Sequence, residues 1–196
     1  MGFWIFLILF AAAALFAVKA AYVLAVALTV AATGGALYVS TPRRSIQAVL
    51  DTLPLVPGQL FLDLGCGDGR ALRAARKRFS VRAVGYEINP LANLKARVFC
   101  KAPGIEIRYQ NFWKESIEGA DVVFCYLFPD VMAELSEKVK REAKAGAVVV
   151  SFNFPLPAFA PDRVLRPGAG GRGDPIYIYY VRRPNAEAPR EPDIHG

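Results

Sequence analysis

Hydrophobic residues open this chain as one unbroken block and continue as short periodic runs, and the two patterns predict different structures. Across residues 2–39 the only charged side chain is Lys19, set among Ala, Leu, Val and Phe. A bilayer core takes about 20 apolar residues as helix. Residues 20–39 meet that alone, and residues 3–18 form a second, shorter candidate. Two readings compete: one tilted span with Lys19 snorkelling, or a hairpin turning near Lys19. The single span fits better, because no Gly, Pro or Asn lies near Lys19 to make a turn.

After residue 40 strand and helix signals alternate, which predicts a parallel sheet with helical crossovers. Residues 45–53 carry helical periodicity (Ile46, Val49, Leu50, Leu53) behind Pro42 and stop before Pro54. Strands are expected at 60–64, 81–88, 104–109, 120–127 and 147–152, the fourth apolar enough to be central. Helices are expected at 70–79, from Pro90 with Asn89 as its N-cap, and over 129–143 with Val131, Leu135 and Val139 facing inward. Segment 153–161 holds three prolines and is not expected to be helical. Residues 163–165 and 176–181 should close the sheet as an antiparallel pair around a glycine-rich turn at 168–173. Arg172-Gly173-Asp174 in that turn resembles an adhesion tripeptide but reads as turn chemistry.

The expected fold class is α/β: a Rossmann-like, mostly parallel sheet with an antiparallel C-terminal strand, preceded by a transmembrane helix. The boundaries follow as a membrane anchor over 1–39, a catalytic domain over 40–183 and a disordered, Pro-rich charged tail over 184–196.

The formal net charge of +7 changes the picture in one respect. Arg70, Arg73, Arg76, Lys77 and Arg78 suit a solvated helix face, and the remaining excess suits anionic headgroups beside an anchor. A lipid bilayer is therefore an expected partner, and nucleic acid is not. Arg43 and Arg44 directly follow the apolar block, which by the positive-inside rule puts the rest of the chain on the cytoplasmic side of a membrane. No Lys or Arg precedes Phe3, so a cleaved signal peptide is not expected. Cys66, Cys100 and Cys125 share no C-x-x-C spacing, and the single histidine, His195, lies in the tail. No metal site is expected, and a reducing compartment fits.

Candidate chemistry begins at FLDLGCGDG, residues 61–69. An apolar run ends in an acid, and glycines follow at 65, 67 and 69, where positive φ and a missing Cβ allow close approach of a ligand. A helix starting at Arg70 should aim free N–H groups at the same spot. The dinucleotide fingerprint G-x-G-x-x-G would need glycine where Arg70 stands. Asp63, Glu87 and Asn111 each fall at or after the end of an expected strand, so a doubly wound sheet would bring them to one edge.

The G-x-G-x-G spacing, with an acid two residues ahead, resembles motif I of the class I S-adenosylmethionine (SAM) methyltransferases. With that cofactor each residue acquires a role. The backbone of Gly65, Cys66, Gly67, Asp68 and Gly69 would lie against the methionine part, with Asp63 on its amino group. Glu87 would take both ribose hydroxyls, Asn111 would pair with adenine, and Ile88 or Phe112 would sandwich the ring.

The resemblance extends to YVSTP at 38–42, GYEINP at 85–90, NFW at 111–113, YLFP at 126–129 and the stretch 148–155. In that order they are similar to the small membrane-anchored protein-lysine methyltransferases related to the mitochondrial enzymes acting on the ATP synthase c-subunit and the adenine nucleotide translocase. A wider kinship is to Dot1-like archaeal lysine methyltransferases, and the similarity covers about residues 38–165. It implies that Thr41 contacts the cofactor and that Tyr126 and Pro129, in a loop placed like an N-P-P-Y motif, position the acceptor nitrogen. Ser40 stands where the family suggests proline, which loosens that segment, and Asn111 stands where an acid is common.

A lysine acceptor, with an amine pKa of about 10.4 in water, must lose a proton before it attacks. Tyr126, Phe128, Phe152 and Phe154 could line an apolar channel that lowers that value, with Phe152 equally readable as core. The carbonyls of Leu127 and Phe128 could hold the amine on its approach. The leading expectation is lysine N-methylation of a membrane or membrane-adjacent protein. Its rivals are methylation of a lipid, quinone or other apolar small molecule, and a SAM-binding membrane module without turnover.

Overall fold

A computed structural model describes residues 2–32 and 40–182. The expected tail at 184–196 and the last part of the expected span, 33–39, lie outside the described residues. The chain divides into two compact units, Met1–Tyr38 and Val39–Gly196.

In the first unit, α1 runs unbroken from Gly2 to Ala32. It passes straight through Lys19, so the hairpin alternative is corrected: an Ala/Leu-rich stretch without a breaker stays helical. The window that is long and apolar enough to cross a membrane is Gly2–Leu24, with a mean hydropathy of 2.3. It starts earlier than the 20–39 window because one lysine does not interrupt the apolar run.

The second unit is a seven-stranded sheet in the order β3-β2-β1-β4-β5-β7-β6. Strands β1 (Leu60–Leu64), β2 (Arg82–Tyr86), β3 (Ile105–Arg108), β4 (Val122–Cys125) and β5 (Val148–Phe152) pair in parallel. Strand β7 (Ile176–Tyr180) runs antiparallel to β5, and the short β6 (Arg163–Leu165) is antiparallel to β7. The closing pair thus forms as the sequence predicts. The order runs outward from β1 in both directions, so the switch point falls between β1 and β4, where open α/β sheets bind ligands.

Both faces are covered. Phe61, Ala83, Phe124 and Val150 look toward α2 (Arg43–Leu50) and α3 (Arg70–Phe79), whereas Leu62, Val84, Val123 and Val149 look toward α5 (Met132–Glu142). Alternation along each strand sorts one set of side chains from the other.

Several expected boundaries move by a residue or more, and three of the shifts have a local reason. Helix α2 begins at Arg43 behind Pro42 and ends at Leu50; Leu53 stays buried in the turn that follows. Pro54 disfavours helix at the residue before it, and the Thr52 hydroxyl donates to the Val49 carbonyl at 2.8 Å to close the turn. Helix α5 is preceded by a 3₁₀ turn, Pro129–Val131, so Met132 rather than Val131 joins Leu135 and Val139 in the core. Strand β4 stops at Cys125, and the expected continuation to 127 is already loop. Helix α4 (Pro90–Phe99) starts as read, with the Asn89 side chain accepting from Leu91 and Ala92 N–H.

Candidate functional site

The C-terminal ends of the parallel strands share one edge because the register aligns Leu64 with both Tyr86 and Cys125, and Tyr86 with Arg108. The 65–69 turn, Glu87, Asn111 and Tyr126 therefore collect there. All three turn glycines take the left-handed backbone the sequence called for, with φ of 77°, 57° and 71° at Gly65, Gly67 and Gly69. Glycine also solves a spacing problem beneath the turn. A Cβ on Gly69 would lie 2.3 Å from the Cys100 sulfur, and one on Gly85 would lie 2.5 Å from Leu72 Cδ1 and 2.6 Å from the Cys66 sulfur. Gly85 escaped the sequence reading, although a lone glycine inside a strand is the signal for such close approach.

Most N–H groups of this turn are already engaged, which narrows the expectation of free donors to Asp68 and to Ala71 and Leu72 in the first turn of α3. Those of Gly65 and Cys66 both donate to the Tyr86 carbonyl at 2.9 Å, and that of Gly69 donates to the Cys66 carbonyl at 2.8 Å. Gly67 N–H donates to Glu87 Oε2 at 2.8 Å, and Arg70 N–H donates to Asp68 Oδ1 at 3.1 Å. A pyrophosphate would find few donors in this turn. What it would find is negative charge.

Asp63 and Glu87 are buried at 3% and 8% exposure. Burial, then the charges of Glu87 and Asp68, pushes the Asp63 carboxyl well above its ordinary value. Its side chain has no hydrogen-bond partner among the described residues, so the edge holds a buried carboxylate lacking a cation. Glu87 is also raised by burial, against hydrogen bonds from the N–H groups of Asn89, Gly67 and Ile88. Its Oε1 accepts from Asn89 N–H at 2.7 Å, which fixes both oxygens in place while each keeps a lone pair for a ligand. This donor set suits a cationic, hydroxyl-bearing cofactor and repels a polyphosphate. It fits SAM, which carries an ammonium, a sulfonium and a ribose with two hydroxyls.

The other expected residues are placed unequally. Asp68 gives its carboxylate to Arg70 at 2.7 Å, so it braces the turn; burial opposes its ionisation, but Arg70 outweighs that and lowers its pKa. The Cys66 thiol packs against Gly85, and burial drives its pKa far up, so Cys66 presents backbone to the edge. Thr41 is buried, and its carbonyl accepts from the Arg70 guanidinium at 3.2 Å, which carries the 40–42 segment to the first turn of α3. Asn111 caps the 3₁₀ turn Phe112–Lys114 by accepting from Trp113 N–H at 3.1 Å. The Phe112 ring lies 4.6 Å from that of Trp113, and Phe112 and Ile88 are both half-buried.

The YLFP loop reaches the glycine turn directly: a Cβ on Gly65 would stand 3.1 Å from Leu127 Cδ2. Tyr126 is half-buried with its ring edge-on to Phe152, centroids 4.7 Å apart. Phe152 is fully buried, so it is core and lines no open channel. Phe128 is 38% exposed, Phe154 is half-buried, and Pro129 is exposed at the head of its 3₁₀ turn. Of the two carbonyls expected to meet an amine, that of Phe128 already accepts from Val131 N–H at 3.3 Å.

Two residues here escaped the sequence reading. Asn153 follows β5 with φ 70°, unusual for a residue other than glycine, and its N–H donates to the Pro175 carbonyl at 2.7 Å. That bond brings Asp174 toward Tyr126. Burial first, then the Asp174 carboxylate, raises the Tyr126 hydroxyl above its ordinary value, against a hydrogen bond with Asn153. No short motif marks Asn153, whose positive φ is visible only in the structure, and in sequence Asp174 reads only as part of a turn tripeptide.

Solved structures carry the same architecture. The chain superposes on an RNA methyltransferase from Salinibacter ruber, bound to S-adenosyl-L-homocysteine, with a TM-score of 0.68 and 30% identity over 78% of this chain and 98% of that one. A SAM-dependent methyltransferase from Geobacter sulfurreducens, at 21% identity and a TM-score of 0.51, shares the fold over 57% of this chain and 48% of that one. Fold and site together define a SAM-dependent methyltransferase, and a binding module without turnover is set aside.

The family is narrower than that. The ANTKMT methyltransferase domain matches residues 63–163, just over half of the chain, and the protein belongs to this family. A protein-lysine N-methyltransferase of Saccharolobus islandicus is 32% identical over 74% of this chain and 92% of its own length. The adenine nucleotide translocase lysine N-methyltransferase of Mus musculus is 37% identical over 74% of this chain and 62% of its own length. The lysine N-methyltransferase of the ATP synthase c-subunit in Homo sapiens is 30% identical over 72% of this chain and 60% of its own length.

Proposed function

We propose that this protein is a membrane-anchored lysine N-methyltransferase acting on a protein in or beside the bilayer. The anchor is α1 within residues 1–39, and the catalytic unit, 40–183, works on the cytoplasmic side, in keeping with Arg43 and Arg44. The observation that carries the reading is the seating of the YLFP loop on the glycine turn. It puts the residues suited to an amine beside those suited to SAM, and the relatives of this chain in the family are named for lysine.

SAM brings a methyl group already activated on sulfur. The chain's own residues hold and align. Asp63 takes the ammonium, Glu87 the ribose hydroxyls, Asn111 the adenine edge with Ile88 or Phe112 against the ring, and Thr41 closes over the turn. Gly65, Cys66, Gly67, Asp68 and Gly69 offer backbone to the methionine part. On the acceptor side Tyr126 and Phe128 give the lysine stem an apolar wall and desolvate its amine, which lowers its pKa. The Leu127 carbonyl, Asn153 and Asp174 surround the nitrogen with acceptors, and Pro129 fixes the exit of the loop. Correct alignment supplies most of the acceleration in such a displacement.

The test is to incubate the full-length protein and labelled SAM with membranes from a deletion strain. Label in lysine of a membrane protein supports the reading. Label confined to lipid, or to RNA (the acceptor for which the Salinibacter ruber enzyme is named), overturns the acceptor assignment.

A further inference from the structure

Helix α4 buries Ala92, Asn93 and Ala96 and turns Leu94, Val98 and Phe99 to solvent, at 61%, 52% and 58% exposure. With 3.6 residues per turn, Leu91, Leu94 and Val98 form one stripe opposite the buried face. Arg97 flanks the stripe on one side and Lys95 on the other, and Lys101 follows just beyond the helix end, all three exposed. Phe99 stands at the border, with the Arg73 guanidinium 5.6 Å from its ring centroid. No acidic residue occurs in α4.

Single exposed apolar side chains are ordinary, but a contiguous stripe at the centre of a solvated face is not. Its rim decides what covers it. Protein interfaces are depleted in lysine. A bilayer surface favours lysine and arginine around an apolar stripe, because their stems lie along the acyl boundary while the charges reach the headgroups.

We infer that α4 is a membrane-surface helix that seats the catalytic unit on anionic lipid. Leu94 and Val98 enter the acyl boundary, and Lys95, Arg97 and Lys101 pair with lipid phosphates. The inference rests on the membrane-anchored reading above. It also ties lipid to the cofactor edge, since α4 begins directly after the Asn89 cap, whose N–H holds Glu87. Docking would fix the height of the ribose end of the site above the membrane.

The test uses the full chain in vesicles. Nitroxides are placed singly at Val98→Cys, at Ala12→Cys in α1 and at Glu137→Cys on the exposed face of α5, the native cysteines being buried. With phosphatidylglycerol mixed into phosphatidylcholine, collision of the Val98 label with an aqueous nickel reagent should fall about fivefold or more below that of the Glu137 label. The variant carrying Lys95→Glu, Arg97→Glu and Lys101→Glu should lose this shielding while still binding SAM. A shielded Ala12 with a Val98 as accessible as Glu137 overturns the inference and leaves the anchor standing. Accessibility at both Ala12 and Val98 overturns both. Equal shielding in phosphatidylcholine alone also overturns it, because the cover would then owe nothing to anionic lipid.

Discussion

The two halves of the strand-end edge are held by different means. On the β1–β2 side, turn, carboxylate and backbone lock one another: Glu87 accepts from Gly67 and Asn89 N–H, and Tyr86 accepts from Gly65 and Cys66. On the β4–β5 side the groups are aromatic rings, a carbonyl and an asparagine in a left-handed backbone, from three separate loops. The first half is a rigid mould for a ligand of fixed shape. The second is a looser collar, suited to one flexible side chain that differs in context from protein to protein. Changes on the first side should therefore be read in cofactor affinity, and changes on the second in turnover.

The largest effect is expected at Glu87. Hydrogen bonds to a charged group contribute about 1.5–3 kcal/mol each, and Glu87→Ala would remove the pair proposed to the ribose and untie Gly67 as well. Calorimetry should show SAM affinity lower by about a hundredfold or more. An affinity within about threefold of wild type would show that the mould does not depend on this carboxylate.

Asp63 comes next, and here affinity and stability part company. Its folded pKa lies above the unfolded value, so the folded state binds the extra proton. Its stabilising contribution is complete below the ordinary carboxyl range and declines as pH rises through the raised value. The melting temperature of the SAM-free protein should fall across that window. Asp63→Asn should flatten the slope and raise melting at neutral pH, while lowering SAM affinity by about tenfold, the size of one charged hydrogen bond. Equal slopes in the two proteins would mean that Asp63 is not the group that titrates. Bound SAM should suppress the slope in wild type, because its ammonium supplies the missing counter-charge.

This division also explains what could be read from the sequence. The β1–β2 half is written locally: Gly65, Gly67 and Gly69 lie within one short turn, and Glu87 marks the end of the next strand. The outline of the sheet follows from strand–helix alternation, and the closing β6–β7 pair from its turn. The proposed acceptor half draws on Tyr126, Asn153 and Asp174, residues joined by β4–β5 pairing and a single bond to Pro175 that no short pattern encodes. Arg172-Gly173-Asp174 reads as turn chemistry in sequence, and its aspartate gains a second meaning only once the fold lets its charge act on Tyr126. The expectation of free N–H groups at the turn holds only in part, for a related reason. Which carbonyl claims an N–H depends on strand register, and Tyr86 is brought to Gly65 by the β1–β2 pairing.

On the acceptor side Tyr126→Phe should leave SAM affinity unchanged and lower the turnover number by about fivefold to tenfold, the weight of one neutral hydrogen bond near the amine. Turnover and SAM dissociation are measured on the same preparation. A loss of SAM affinity of about tenfold with turnover intact would reverse the assignment of the two halves.

The smallest effect is expected at Asn153, and its sign is the informative part. A non-glycine residue at φ 70° costs about 1–3 kcal/mol relative to a relaxed backbone, and glycine accepts the same geometry without that strain. Glycine also widens the unfolded ensemble, which offsets part of the gain. Asn153→Gly should therefore raise stability by about 1 kcal/mol or less in urea unfolding. It should lower turnover by about threefold, because the side-chain amide that acts on the Tyr126 hydroxyl is gone. Asn153→Ala removes the same amide but keeps the strain, so it should lose the same turnover with no gain in stability. If the two variants differ in turnover, the backbone at 153 rather than its amide sets the collar; if both retain full turnover, Asn153 serves the fold alone and Tyr126 acts without it.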